Sequence, residues 1–215
     1  MSQPYENPPP PDTRFPDKYP DATGKGDLHI PGAGNIGIII LIVSLSILFA
    51  ASMVAFLAIR FQFQRTHNGA WPPPPFPPLP KSLWLSTLII LIASFTIHKA
   101  VAAAKGDDEK GIVRWLQITM AVGLLFLVLQ ATNWFEFFRS LHGLPVEGIY
   151  LGMFFVLTGL HAAHVLGGLV PLFILLPRAR KGRYSRNFHP GIRYAAAYWH
   201  FLDIVWCVLF CAIYF

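Results

Sequence analysis

The final apolar segment of this 215-residue chain carries the run Tyr198-Trp199-His200-Phe201-Leu202-Asp203-Ile204-Val205-Trp206, which sets an imidazole and a carboxylate among greasy side chains. On a helix, positions three and four apart share a face. Trp199, His200, Asp203 and Trp206 are therefore expected along one stripe, with His200 and Asp203 placed to pair. Ionisable residues inside membrane spans usually face a bundle interior and have a partner, so this stripe is either a helix-packing contact or a site. A second constellation is Thr158-Gly159-Leu160-His161-Ala162-Ala163-His164-Val165-Leu166-Gly167-Gly168. His161 and His164 lie on one face, and Gly159, Ala163, Gly167 and Gly168 leave a shallow groove for another helix backbone. Two histidines three apart could form one edge of a metal site, but no Cys or carboxylate motif completes the ligand set. Gln130, Asn133 and Glu136 recur at every third position and form a polar ridge expected to face protein or the surface. Cys207 and Cys211 stand one turn apart on a single span and read as packing residues.

Four histidines, His98, His161, His164 and His200, also raise a bis-histidine haem and hence a membrane b-type cytochrome that carries electrons. Such a pair needs histidines on facing helices at matching depth. His98 and His200 are expected near opposite faces, and no paired motif selects a haem.

Composition sets what must position these groups. Hydrophobic residues make up 54% of the chain and charged residues 13%, and the mean hydropathy is +0.48, values of a multispan membrane protein. A bilayer crossing needs about 20 apolar residues. Five segments qualify: Asn35 to Arg60, Ser82 to Ala104, Ile112 to Phe138, Ile149 to Leu176 and Arg193 to Phe215. In lipid every backbone polar group needs an internal partner, so these segments are predicted to be helices. The expected fold is an all-α, five-helix transmembrane bundle over residues 34–215, preceded by a proline-rich tail over residues 1–33.

Thirteen of the 17 Lys and Arg residues fall in the tail and at the ends of the second and fourth connections, among them Arg180 and Arg183. Arg60, Arg65, Lys81 and Arg139 fall on the other side. The positive-inside rule then places the N-terminus in the cytoplasm and the C-terminus in the periplasm. Anionic headgroups and this topology account for the net charge of +6, so nucleic acid is not the expected partner.

The tail, with Pro8-Pro9-Pro10-Pro11, cannot build a core and is expected to be extended. No signal peptide is expected, because the first apolar run begins beyond residue 30 and is too long for one. The first span holds Ser44, Ser46 and Ser52, each able to bond back to its own backbone. The connection Trp71-Pro72-Pro73-Pro74-Pro75-Phe76-Pro77-Pro78 is too proline-rich to be helical and reads as a stiff interfacial loop, an anchor or a docking surface.

The last-span run, His161-Ala162-Ala163-His164-Val165 followed by glycines, Gln130-Ala131 and Trp71-Pro72-Pro73 occur in the order seen in subunit III of haem-copper oxidases, and the chain resembles that family over about residues 35 to 215. It looks like a bacterial five-helix member lacking the two leading helices of the seven-helix form. The resemblance implies an integral subunit of the bacterial inner membrane that has no catalytic residues and holds no cofactor or metal. Haem and copper are expected in partner subunits. It further implies a place beside the catalytic subunit I, with subunit II and a subunit IV-like chain as other partners, ordered phospholipid, and a role in sustaining proton uptake and turnover. By the same resemblance His164 would contact phospholipid headgroups; independently of it, the basic cluster Arg178, Arg180, Lys181, Arg183 and Arg186 is expected to bind acidic headgroups. His161, His164, His200, Asp203 and Trp206 would form a polar packing network.

Two departures stand out. Where many members carry a carboxylate after a serine in this first span, the chain reads Ser44-Leu45-Ser46; and Asn133 stands where an acid is often found, with Glu136 one turn on. The function expected is that of an accessory subunit of a proton-pumping terminal oxidase with cytochrome c as donor. The alternatives are a quinol oxidase, a nitric oxide reductase-associated homologue, or the b-type cytochrome.

Overall fold

The computed structural model describes residues 33–66, 81–141, 148–186 and 188–214. They form α1 (Ala33–Thr66), α2 (Ser82–Lys105), α3 (Glu109–Ser140), α4 (Gly148–Arg180) and α5 (Pro190–Tyr214). All five are long and apolar enough to cross a membrane. Among the described residues the one strand-like feature is an isolated bridge between Ser185 and Phe188. The tail up to Gly32 and the loop holding Trp71, Pro72 and Pro73 lie outside the described residues.

The helices overrun the apolar segments that announce them. α1 continues beyond Arg60 to Thr66, and α4 passes through Pro171 and Pro177 to Arg180. Hydropathy marks the stretch that must sit in lipid, whereas a helix continues as long as its backbone bonds can be made. Local chemistry sets the ends. Asp108 caps α3 by accepting the Gly111 N–H at 2.9 Å, which satisfies one of the free amides of the first turn. α4 stops where Gly182 adopts a left-handed φ of +64°. There the Gly182 and Arg183 amides donate to the carbonyls of Ala179 and Arg178 at 3.0 and 3.2 Å, a termination that favours glycine. Asp107, also at positive φ, accepts the Arg186 backbone N–H, so the α2–α3 and α4–α5 connections meet at the same end of the bundle.

α2, α3, α4 and α5 close into a ring, each packed against its two neighbours, while α1 lies outside it against α4 and α5 only. The ring is filled by Trp199, Trp206, Phe126, Ile90 and Leu157, all essentially fully buried. α1 buries Leu45, Phe49, Phe56 and Phe63, spaced as one helical stripe. Its other faces bare Ile36, Ile40, Val43, Ile47 and Val54, suitable only for lipid or another apolar surface. Ser46 and Ser52 donate to the Ile42 and Leu48 carbonyls at 2.8 and 2.9 Å, which removes the cost of a bare hydroxyl there. At its far end α1 is pinned by Arg60, which donates to the Ala212 carbonyl at 2.5 Å, where the last turn of α5 carries negative partial charge.

Candidate functional site

Two seams meet at α5. Along the first, α4 and α5 approach closely because small residues line it. A Cβ on Gly168 would stand 2.9 Å from Tyr198 Cε1, and one on Gly123 of α3 would stand 2.6 Å from Trp199 Cη2. The space left by the missing side chains is filled by the Tyr198 and Trp199 rings. Tyr198 then donates its hydroxyl to the His164 carbonyl at 2.9 Å, and the Trp199 indole donates to the Gly168 carbonyl at 3.3 Å. Deeper in, His161 sits between Phe126 and Trp206, with ring centroids 5.8 and 4.9 Å away. The structure thus brings His161 and His164 beside the last-span run.

His161, Gln130 and Asn133 are buried, and none of their side-chain nitrogens or oxygens has a hydrogen-bond partner among the described residues. Glu136, by contrast, is exposed. A step of three falls about 60° short of a full turn, so two steps rotate the ridge about 120° from interior to surface.

The second seam joins α5 to α2. The Trp206 indole donates to Thr87 Oγ1 at 3.0 Å, and the Ser94 hydroxyl lies 2.5 Å from His200 Nδ1. His200 and Asp203 do not pair. His200 is rotated about 60° from Asp203 around the helix, which aims its ring at α2, where Ser94 takes it. Asp203 turns inward and is 4% exposed, with no well-formed hydrogen bond to either carboxylate oxygen. The expected separation of His98 from His200 is also overturned, since their ring centroids lie 6.2 Å apart. His98 is seven residues from the end of α2 and His200 ten residues from the start of α5. Both distances run from the same end of the bundle, so the depths differ by only about 5 Å.

Between α1, α4 and α5 runs an apolar groove of about 510 Å³, bordered by Leu45, His164, Gly167, Pro171, Tyr194 and Tyr198, with Arg178 on its rim. Leu45, the residue found in place of an acid, is buried against it. His164 Nδ1–H donates to the Leu160 carbonyl at 2.7 Å, and Phe49 of α1 lies edge-on to the same ring at 5.2 Å. Arg178, Arg180, Lys181, Arg183 and Arg186 are all exposed at this end. Arg180 also borders a shallower depression of about 320 Å³ with Glu109, Lys110 and Arg114. In the same connection, burial raises the Tyr184 phenol above its ordinary value, with the charge of Arg178 and a hydrogen bond from it opposing.

Among the described residues no three His, Cys, Asp or Glu side chains converge as metal ligands, and Cys207 and Cys211 are free thiols. Sequence reasoning passed over Ser94, Thr87, Phe49 and Gly123, and took Arg60 only as a charge at the end of its span. A signal existed for two of them, because Thr87 and Ser94 stand seven apart and so share the α2 face that meets α5. Phe49 and Arg60 gave none, being ordinary members of an apolar helix and its end.

The family model described as cytochrome c oxidase subunit III matches residues 20–215. The chain is similar to the cytochrome c oxidase subunit 3 of Synechocystis sp., 36% identical over 198 residues, which is 91% of this chain and 81% of that one. It is 32% identical to the cytochrome c oxidase subunit 3 of Thermostichus vulcanus over 185 residues, 83% and 85% of the two chains. A probable cytochrome c oxidase subunit 3 of Mycobacterium tuberculosis is 34% identical over 191 residues, 87% of this chain and 90% of that one.

Proposed function

Because the chain belongs to the cytochrome c oxidase subunit III family, we propose that it works as the non-catalytic subunit of a proton-pumping respiratory oxidase that reduces oxygen to water. It lies in the bacterial inner membrane beside the catalytic subunit I, with subunit II and a subunit IV-like chain in the same assembly. Cytochrome c is the electron donor, and the haem and copper belong to the partner subunits. The tail and the α2–α3 and α4–α5 connections face the cytoplasm, where thirteen of the 17 basic residues would gather.

The observation that carries this reading is how the last-span run is used. Tyr198 and Trp199 bond to α4 carbonyls, and Trp206 and His200 bond to hydroxyls of α2. These groups hold helices together within the chain. His200 Nδ1 is already engaged by a serine, and His164 Nδ1 by a carbonyl four residues back in its own helix.

The groove between α1, α4 and α5 supports a phospholipid there. Its apolar walls suit an acyl chain, and Arg178 on the rim suits a phosphate, each nearby cation adding about 1 kcal/mol of attraction to an acidic surface. Arg180 and Arg183 extend the positive field. A lipid wedged between α1 and the ring would hold the subunit in one shape against subunit I, which is how the chain would sustain proton uptake over many turnovers.

The test is a purification through a tag on this chain. The intact complex should carry the haem spectrum, and detergent release of the tagged chain should leave every Soret band with the other subunits. A porphyrin that stays with the isolated chain through washing would overturn the reading. Native mass spectrometry should find retained phospholipid, reduced in an Arg178→Gln, Arg180→Gln, Arg183→Gln variant.

A further inference from the structure

Three buried polar side chains share one layer of the α3–α4 seam. Gln130 and Asn133 are each 1% exposed and His161 is fully buried, and no nitrogen or oxygen of the three side chains has a hydrogen-bond partner among the described residues. Two contacts fix the level at which α3 and α4 meet. The Trp134 indole donates to Thr158 Oγ1 at 3.1 Å, and the Phe126 and His161 rings meet edge-on at 5.8 Å. The helices run antiparallel there, so Gln130, one turn from both Phe126 and Trp134, comes level with the turn from Thr158 to His161. Asn133 lies on the same buried stripe of α3.

Aromatic rings stand at both ends of this layer. At one end Phe126, His161 and Trp206 form a triangle, with centroids 5.8, 5.1 and 4.9 Å apart. At the other, Phe137 and Phe154 meet at 4.8 Å, one turn beyond Asn133 and Thr158. Thr158 is already engaged, donating to the Phe154 carbonyl at 2.7 Å and accepting from Trp134. His164, on the next turn of α4, satisfies its Nδ1 at the Leu160 carbonyl. His161 makes no such bond, and hydrocarbon outside the bundle can supply none.

The geometry points to an internal water site in which ordered water molecules bridge α3 to α4 through the side chains of Gln130, Asn133 and His161. A direct bond between any two of these would use one atom on each and leave the rest bare, because an amide carries two N–H groups and an oxygen, and a neutral imidazole one donor and one acceptor. Water meets both needs, since it donates to the oxygens and accepts from the N–H groups. Six atoms require partners: the amide nitrogen and oxygen of Gln130 and of Asn133, and the two ring nitrogens of His161. A buried water makes about three hydrogen bonds, so about two molecules serve the set.

The test is the density of the intact oxidase complex, with the parent sequence, at a resolution that shows ordered water. Peaks within hydrogen-bond distance of Gln130, Asn133 and His161 are expected. A dry seam, or side chains bonded only to one another, would overturn the proposal. A second measurement uses Gln130→Met, which keeps the length of the side chain and removes its polar atoms. If the amide were bare, that change would relieve the cost of burying it, and the subunit would leave the complex at the same or a higher temperature. An amide that holds water leaves that water short of a bond when it is removed. The release temperature should then fall by about 2–4 °C, the shift that one lost hydrogen bond gives in a chain of this size. An unchanged or raised release temperature would count decisively against the site, and if the Gln130→Met subunit fails to assemble, the density of the parent decides.

Discussion

Trp199 donates its indole N–H to the Gly168 carbonyl across 3.3 Å, at a glycine whose missing side chain leaves room for the neighbouring Tyr198 ring. The Tyr198 ring occupies the space a Cβ would need, with Cε1 2.9 Å from it. Gly123 supports the same indole from α3. One aromatic ring thus ties three helices, in an environment where helices gain little from the hydrophobic effect and rely on close packing.

Gly168→Val should therefore force α4 from α5 and destabilise the subunit by about 1–3 kcal/mol, the usual cost of overpacking. Detergent titration of the complex should release the variant subunit at a lower concentration than the parent. Unchanged retention would show that the seam can open without consequence.

Trp206 and Thr87 offer a cleaner test of a single bond. Trp206→Phe and Thr87→Val each remove one side of a 3.0 Å hydrogen bond and should cost about 1 kcal/mol. The double variant should cost less than the two together, since contacting residues are not additive. Thermal release of the subunit from the complex measures all three, and strict additivity would mean that the bond contributes nothing.

Arg60 fastens the outer end of α1 to the last turn of α5. Arg60→Ala should cost about 1.5–3 kcal/mol, the range for a hydrogen bond from a charged donor, and the loss should be local. Faster hydrogen exchange in the α1 amides, with α2 to α4 unchanged, is the expected signature.

Tyr184 supplies a pH dependence. Burial raises its phenol above the ordinary 10.0, so the folded chain keeps the proton when the unfolded chain has released it. The folded state then binds more protons, and stability falls as pH rises past about 10. Tyr184→Phe should flatten that decline. Melting temperatures of the complex at neutral and alkaline pH would show it, and parallel curves for parent and variant would count against it.

Asp203→Ala should lower the yield of assembled complex more than the turnover of the complex that does assemble, because the side chain is buried in the α5 helix packing and its removal leaves a cavity there. Normal assembly with abolished turnover would contradict this.

The five helices and the polar character of α3, α4 and α5 were readable from the chain alone. Hydrocarbon tolerates few arrangements of a 20-residue apolar segment, so length and hydropathy are enough to predict a helix. A helix also has a fixed rotation per residue, which suffices to place Trp199, Asp203 and Trp206 on one face. The same rule, applied loosely, misplaced His200, which a 60° turn delivers to Ser94 instead of Asp203. His98 was misjudged because depth was compared without a common starting face.

Partner choice between helices was decided by the tertiary structure. Nothing in the order of residues says that α1 stands outside a ring closed by α2 and α5, that Phe49 rests on His164, or that a serine on α2 engages a histidine more than a hundred positions later. Such contacts depend on which grooves face which ridges once all five rods are in place, and lipid is an indifferent solvent for every apolar face alike. Local sequence therefore determines what each helix is, whereas the shapes of its neighbours decide whom it touches.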